Sequence, residues 1–375
     1  MSIASERING FDALRAAAMW LGVVLHALIV YKATPEANWP HDQSNYHFLD
    51  WLYEFIHLFR MPLFYLVSGF FAHLVVAKYG MWFFLKQRFK RIVIPFVIGL
   101  IIIVPLSLLP FHFNRFYFQE DYLFPVALRL SFKQMLSWNG MAHLWFLYYL
   151  LFFYILFCPL YRFLLRQRQA FEKVFQKFNI GIRLLVLILY LLFFVLLYFS
   201  HYITPPVYTG IKPDINYLLY YGFFFSSGWL FFIYYREFSM ISQTGVFIFI
   251  TGIVLSALRF LSVIEVPYLF SVVWTSLETF CLVYGMAGVF LRFFNRSSRF
   301  WRYLSDSSYW VYLIHVFIVA VVQVLLLNVQ IPGFLKLVIV LVTTVVIAMI
   351  TYRYFVRYTI IGETLNGKRQ KNQQS

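Results

Sequence analysis

Arg15 and His26 stand eleven residues apart within one apolar run. On a helix that separation is about three turns plus 20°, with a rise of about 16 Å. The two side chains therefore share a face, Arg15 at a membrane edge and His26 deep inside. A guanidinium at the edge can hold a phosphate or carboxylate. A buried imidazole can take the proton of a hydroxyl. A snorkelling arginine above a hydrogen-bonded core histidine fits the same spacing. In the next run Glu54, His57 and Arg60 recur every third residue, on one helical stripe. They could line a polar cavity facing the first run, or form an ion-pair network that locks the bundle. Pro62 is expected to kink this helix and free a carbonyl. Arg88 and Arg91, again three apart, could grip phosphates, although plain positive-inside charge accounts for either one alone. His143 opens a later run and His315 lies inside another. A single histidine in a span is more often packed than catalytic. Ser305 or Asp306 is placed to cap the helix that carries His315.

The elements that must position these groups follow from composition. Of 375 residues, 62% are apolar, 22% aromatic and only 12% charged. A soluble core cannot hide that much apolar surface, whereas a bilayer rewards it. Spanning runs are predicted at 11–31, 49–77, 92–109, 142–161, 183–201, 216–235, 244–262, 268–291, 307–328 and 332–356. Backbone in lipid must satisfy its own hydrogen bonds, so the fold class is all-α, a polytopic bundle of about ten helices. With the N-terminus placed in the cytoplasm, Lys32, Arg115, Arg129, Lys133 and Lys212 fall on the opposite side. Nearly all other Lys and Arg fall on the cytoplasmic side, from Arg7 through the 86–91 and 162–183 clusters to Lys371. That bias predicts both termini in the cytoplasm and explains the net charge of +16 without nucleic acid.

Residues 110–140 read as an outer loop with a partly buried helix that could line a substrate entrance. Cys158 and Cys281 lie far apart in apolar runs and read as packing residues. No signal-peptide cleavage site follows the first run, and no inverted repeat is visible. A membrane domain is expected over 1–367, with a short polar cytoplasmic tail over 368–375. The sequence has no His-Glu-x-x-His, no Gly-rich phosphate loop and no Gly-x-Ser-x-Gly. No metal and no permanently bound cofactor is expected. Buried charges on many spans also fit a secondary transporter of a small anion or sugar.

Several segments occur together in a characteristic order. They are Phe11-Asp12 with Arg15-x10-His26, Phe59-Arg60-Met61-Pro62-Leu63-Phe64 through Ser68-Gly69-Phe70, and Arg88-x-x-Arg91 with Pro95. His143-Leu144-Trp145-Phe146-Leu147 and Ser308-Tyr309-Trp310 to Tyr312-Leu313-Ile314-His315 follow. Over residues 7 to about 367 this pattern resembles the membrane acyltransferase-3 family. The closing Val356-Arg357-Tyr358-Thr359 to Leu365-Asn366-Gly367 resembles its glucan-succinylating branch. The resemblance implies transfer of an acyl group, acetyl or succinyl, from cytoplasmic acyl-CoA as co-substrate. The implied acceptor is a hydroxyl of a periplasmic glucan or other envelope glycan, and the implied location is the bacterial inner membrane. His26 would be the general base or would carry the acyl group briefly, Asp12 would orient Arg15, and Arg15, Arg88 and Arg91 would hold the CoA phosphates. Glu54, His57, Arg60, His143 and His315 would contact substrate, with Arg60 pairing to a dicarboxylic acyl group.

Overall fold

The computed structural model describes residues 8–37, 39–137, 140–177, 181–201, 203, 207–235, 241–262 and 266–367. The predicted tail 368–375, with Arg7 and Arg236, lies outside them. Among the described residues twelve helices follow in chain order: α1 Asn9–Leu28, α2 His47–Tyr79, α3 Met81–Gln119, α4 Phe124–Leu136, α5 Trp145–Lys177 and α6 Ile182–Ser200. They continue as α7 Ile215–Ile233, α8 Ile241–Leu261, α9 Tyr268–Phe293, α10 Arg299–Leu326, α11 Gly333–Thr351 and α12 Ile360–Asn366. Among the described residues there is no strand, only an isolated bridge between Lys32 and Tyr46.

Eight of these helices are long and apolar enough to cross a membrane. The predicted run 183–201 appears as the shorter apolar helix Leu184–Ser200. The run 216–235 appears as α7, whose hydropathy is diluted by Tyr217, Tyr220, Tyr221, Ser226 and Ser227. Two expectations are corrected. Residues 110–119 are not a loop: α3 runs through Pro110 to Gln119, and only 120–123 break it before α4. Its backbone makes three π turns, at Phe89–Val93, Gly99–Ile103 and Arg115–Gln119. Nor do Ser305 or Asp306 cap α10. The helix starts at Arg299, and Ser298 caps it by accepting from the Trp301 N–H. The α2 helix runs through Pro62 unbroken, without the N–H that would otherwise bond the Leu58 carbonyl.

α1 packs against α2, α9 and α10. Phe11 is fully buried, 4.5 Å ring to ring from Phe70 of α2 and 5.7 Å from Phe231 of α7. α2 and α7 cross closely, because a Cβ at Gly69 or Gly228 would collide with the facing carbonyl of Phe225 or Leu66. Small residues allow such approach where lipid supplies no hydrophobic drive between helices. Asn9 donates to the Asn295 carbonyl and Asn366 to the Asp306 carbonyl, so the start of α1 and the end of α12 share one end of the bundle. At the other end, a loop over 32–46 joins α1 to α2. Asp42 there pairs with Lys336 of α11 at 2.6 Å, both buried, and Ser44 Oγ accepts from the Gly333 N–H.

Candidate active site

The basic end of the bundle opens into a cavity of about 1130 Å³, at or above the usual range for small-molecule sites. Its rim is cationic: Arg15 of α1, Arg88 and Arg91 of α3, Arg302 of α10, and Arg357. Arg15 is held by Asp12 at 3.4 Å and donates to Ser305 Oγ at 2.9 Å. Ser305, expected as a cap, is thus a polar contact of the cavity. Arg88 lies over the rings of Phe84 and Tyr154, at 5.1 and 5.2 Å. Arg91 donates to the Asn366 carbonyl at 2.9 Å, and Lys90 pairs with Glu363 at 3.3 Å, so α12 forms one wall. Arg91 sits in the first π turn of α3, and a further π turn, Tyr352–Val356, ends just before Arg357. Such turns rotate side chains off the regular helical faces and recur at functional sites.

With depth the lining turns apolar, through Met19, Phe64, Val67, Phe146 and Leu150. One side-chain layer further in lies a group of imidazoles. Phe146 contacts the Tyr312 ring at 6.1 Å, and Tyr312 contacts His143 at 5.6 Å. His315 lies 5.1 Å from His26 and 5.5 Å from His143, centre to centre. Arg15, Met19, Gly22 and His26 recur at spacings of four, three and four, one continuous stripe of α1. The first two line the cavity, Gly22 receives the Arg60 guanidinium, and His26 meets His315.

The tautomers of two rings follow from their partners. His315 Nδ1 lies 2.7 Å from the Tyr312 carbonyl, and His143 Nε2 lies 3.1 Å from the Leu313 carbonyl. A carbonyl only accepts, so these nitrogens carry the protons. The opposite nitrogens, His315 Nε2 and His143 Nδ1, are buried with no hydrogen-bond partner among the described residues, as is His26 Nδ1. His143 enters the group from a short 3₁₀ turn, behind Ala142 in a left-handed conformation at φ 43°. Gln323 of α10 donates to the His26 and Ala27 carbonyls, satisfying two of the orphan acceptors at the end of α1. Among the described residues no group of three or more His, Cys, Asp or Glu could hold a metal ion.

The structure therefore brings together His26, His143, His315 and Arg60 inside the bundle, and Asp12, Arg15, Arg88 and Arg91 at the cavity. His57 stacks on Tyr53 at 5.7 Å, a turn from Arg60, while Glu54 is exposed. Two features escaped the sequence. Arg302 counts there only as a topology charge, and Arg357 as a topology charge and part of the closing motif; neither is read as a cavity residue. Trp39, in the 32–46 loop, stacks on His26 at 5.6 Å and touches Phe111 at 4.8 Å. Nothing in the local pattern around Trp39 signals that contact. For Arg302 a signal existed, since Arg302, Ser305 and Tyr309 share a helical stripe.

The profile of the family described as Acyltransferase domain matches residues 8–353. Among curated proteins the chain is similar to Glucans biosynthesis protein C of Salmonella typhi, 28% identical over 148 residues. It is equally similar to Glucans biosynthesis protein C of Salmonella paratyphi B, 28% identical over 155 residues. Each match covers 39% of this chain and 37% of the relative's length. No solved structure matches. With a family match over nearly its whole length, across the helices that carry the arginine cavity and the imidazole group, this multi-pass membrane protein belongs to the membrane acyltransferase-3 family.

Proposed function

We propose that the protein moves an acyl group from cytoplasmic acyl-CoA to a hydroxyl of a periplasmic glucan or other envelope glycan, across the bacterial inner membrane. The observation that carries this reading is the path along one stripe of α1. Along that stripe Arg15 and Met19 line the cavity, and His26 lies one side-chain layer beyond it. A donor with phosphates at one end and a thioester at the other matches that sequence of environments: charge first, then an apolar throat, then a base. Arg15, Arg88 and Arg91 hold the phosphates, with Arg302 and Arg357 on the same rim, and Asp12 fixes Arg15. His26 takes the proton of the acceptor hydroxyl. That oxygen bonds to the thioester carbon, the C–S bond breaks, and the thiolate leaves with the proton as CoA thiol. The sugar approaches from the opposite end, where Trp39, His57 and exposed Glu54 lie, and His143 and His315 border it.

The test uses purified protein in liposomes with acyl-CoA and glucan. Free thiol is followed optically and the glycan by mass spectrometry. Thiol release with acylated glycan, lost in His26→Ala, is expected. Solute movement without thiol release would instead mean a transporter.

A further inference from the structure

Among the described residues, buried charges carry partners, with one exception. Lys336 has Asp42 at 2.6 Å, Lys32 has Glu36 at 3.0 Å, and Glu278 has Arg259 at 2.9 Å. Arg60 is 8% exposed, its Nε has no hydrogen-bond partner, and no carboxylate among the described residues lies within ion-pair distance. An unpaired cation inside a bilayer is expensive and marks a place where negative charge appears. Its position says where. The Nη1 atom lies so close to Gly22 that any Cβ there would collide with it. Gly22 is four residues before His26 on the same stripe, about 6 Å along the helix.

We infer that Arg60 is a catalytic residue that stabilises the oxyanion of the tetrahedral intermediate, and that Gly22 is kept small to let it reach. The inference rests on the acyl-transfer reading above. When the acceptor oxygen bonds to the thioester carbon, the C=O pair moves onto the carbonyl oxygen while the hydroxyl proton passes to His26. The fixed guanidinium meets that negative charge. The pair then returns, the C–S bond breaks, and His26 gives its proton to the departing sulfur. A charge that exists only in the intermediate explains why the resting protein offers Arg60 no counterion. Preorganised donors of this kind typically supply about 10²–10³ in rate.

The competing role is recognition of a carboxylate on the acyl chain, and two donors separate them. Arg60→Gln, Arg60→Lys and Gly22→Ala are each assayed with acetyl-CoA and with succinyl-CoA, after size-exclusion chromatography confirms intact protein. Arg60→Gln is expected to lower kcat by about 10²–10³ with both donors and to leave KM within a few fold. Gly22→Ala, which keeps the arginine but displaces it, should lose part of that, and Arg60→Lys should retain more rate than Arg60→Gln. A loss confined to succinyl-CoA, a loss carried by KM alone, or no loss would each overturn the assignment. If Arg60→Gln does not fold, the Gly22→Ala and Arg60→Lys rates decide by the same criteria. A dead His26→Ala beside a fully active Arg60→Gln sinks this inference alone, whereas an active His26→Ala sinks the reading beneath it.

Discussion

Two buried ionic regions of this molecule are built by opposite rules. At the far end, Asp42 and Lys336 lie 2.6 Å apart, 2% and 4% exposed, and Lys336 also donates to the Leu327 carbonyl. Each of these two charges is answered by the other, and the pair pins the 32–46 loop to α11. Around His26 the rule is reversed: among the described residues Arg60 has no carboxylate, and His26, His143 and His315 each keep a ring nitrogen unpartnered. Desolvated polar groups cost about 1–3 kcal/mol each when unpaired. A bundle that satisfies its scaffold charges but leaves these groups open is spending stability there, as the proposed acyl-transfer site would require. A satisfied buried charge therefore points to architecture, and an unsatisfied one to chemistry.

Breaking the open side should have the largest effect. His26→Ala is expected to lower acyl transfer by at least about 10²–10⁴, the range for a general base, while the protein still inserts and elutes as intact species. Residual thiol release within a few fold of the parent would remove His26 from the mechanism. On the closed side, Asp42→Ala strands a buried ammonium. The expected loss is about 3–5 kcal/mol of stability, read as a lower thermal midpoint in detergent. An unchanged midpoint would mean the pair is incidental. Arg88→Ala combined with Arg91→Ala should raise KM for acyl-CoA about ten- to a hundredfold, with a weaker salt dependence of binding. If KM stays put, the rim does not hold phosphate. The smallest change is expected for Ser305→Ala. It removes one contact of an Arg15 that keeps Asp12, and about 0.5–1.5 kcal/mol of hydrogen bonding, visible as a KM shift of roughly tenfold or less.

The sequence was most informative where one rule governs many residues. Helix positions follow from apolar length, since lipid allows few alternatives, and Arg15 and His26 share a face because helical geometry leaves no choice. Contacts across the fold were not legible. Ser305 looks like a cap until the helix is seen to begin six residues earlier, at Arg299. Phe111 and His112 look like loop until α3 is seen to absorb Pro110. Trp39 reaches His26 only because Asp42, Ser44 and Asp50 fasten its loop, through Lys336, the Gly333 N–H and the Ala33 and Thr34 N–H groups. The bonds to Lys336 and Gly333 link segments nearly 300 residues apart in the chain, which no local pattern encodes.

The wall formed by α12 has a practical consequence. Asn366 both accepts from Arg91 and donates to the Asp306 carbonyl, so its backbone and side chain join two sides of the cavity mouth. Gly367, at φ 91°, follows directly, with Arg91 Nη2 only 2.6 Å from where its Cβ would be. An affinity tag or fluorescent reporter grafted immediately after this glycine would crowd the cavity mouth. Ligand titrations on such a fusion would report the graft as much as the enzyme. A spacer, or a label on the far-end loop, keeps the measurement about the protein itself.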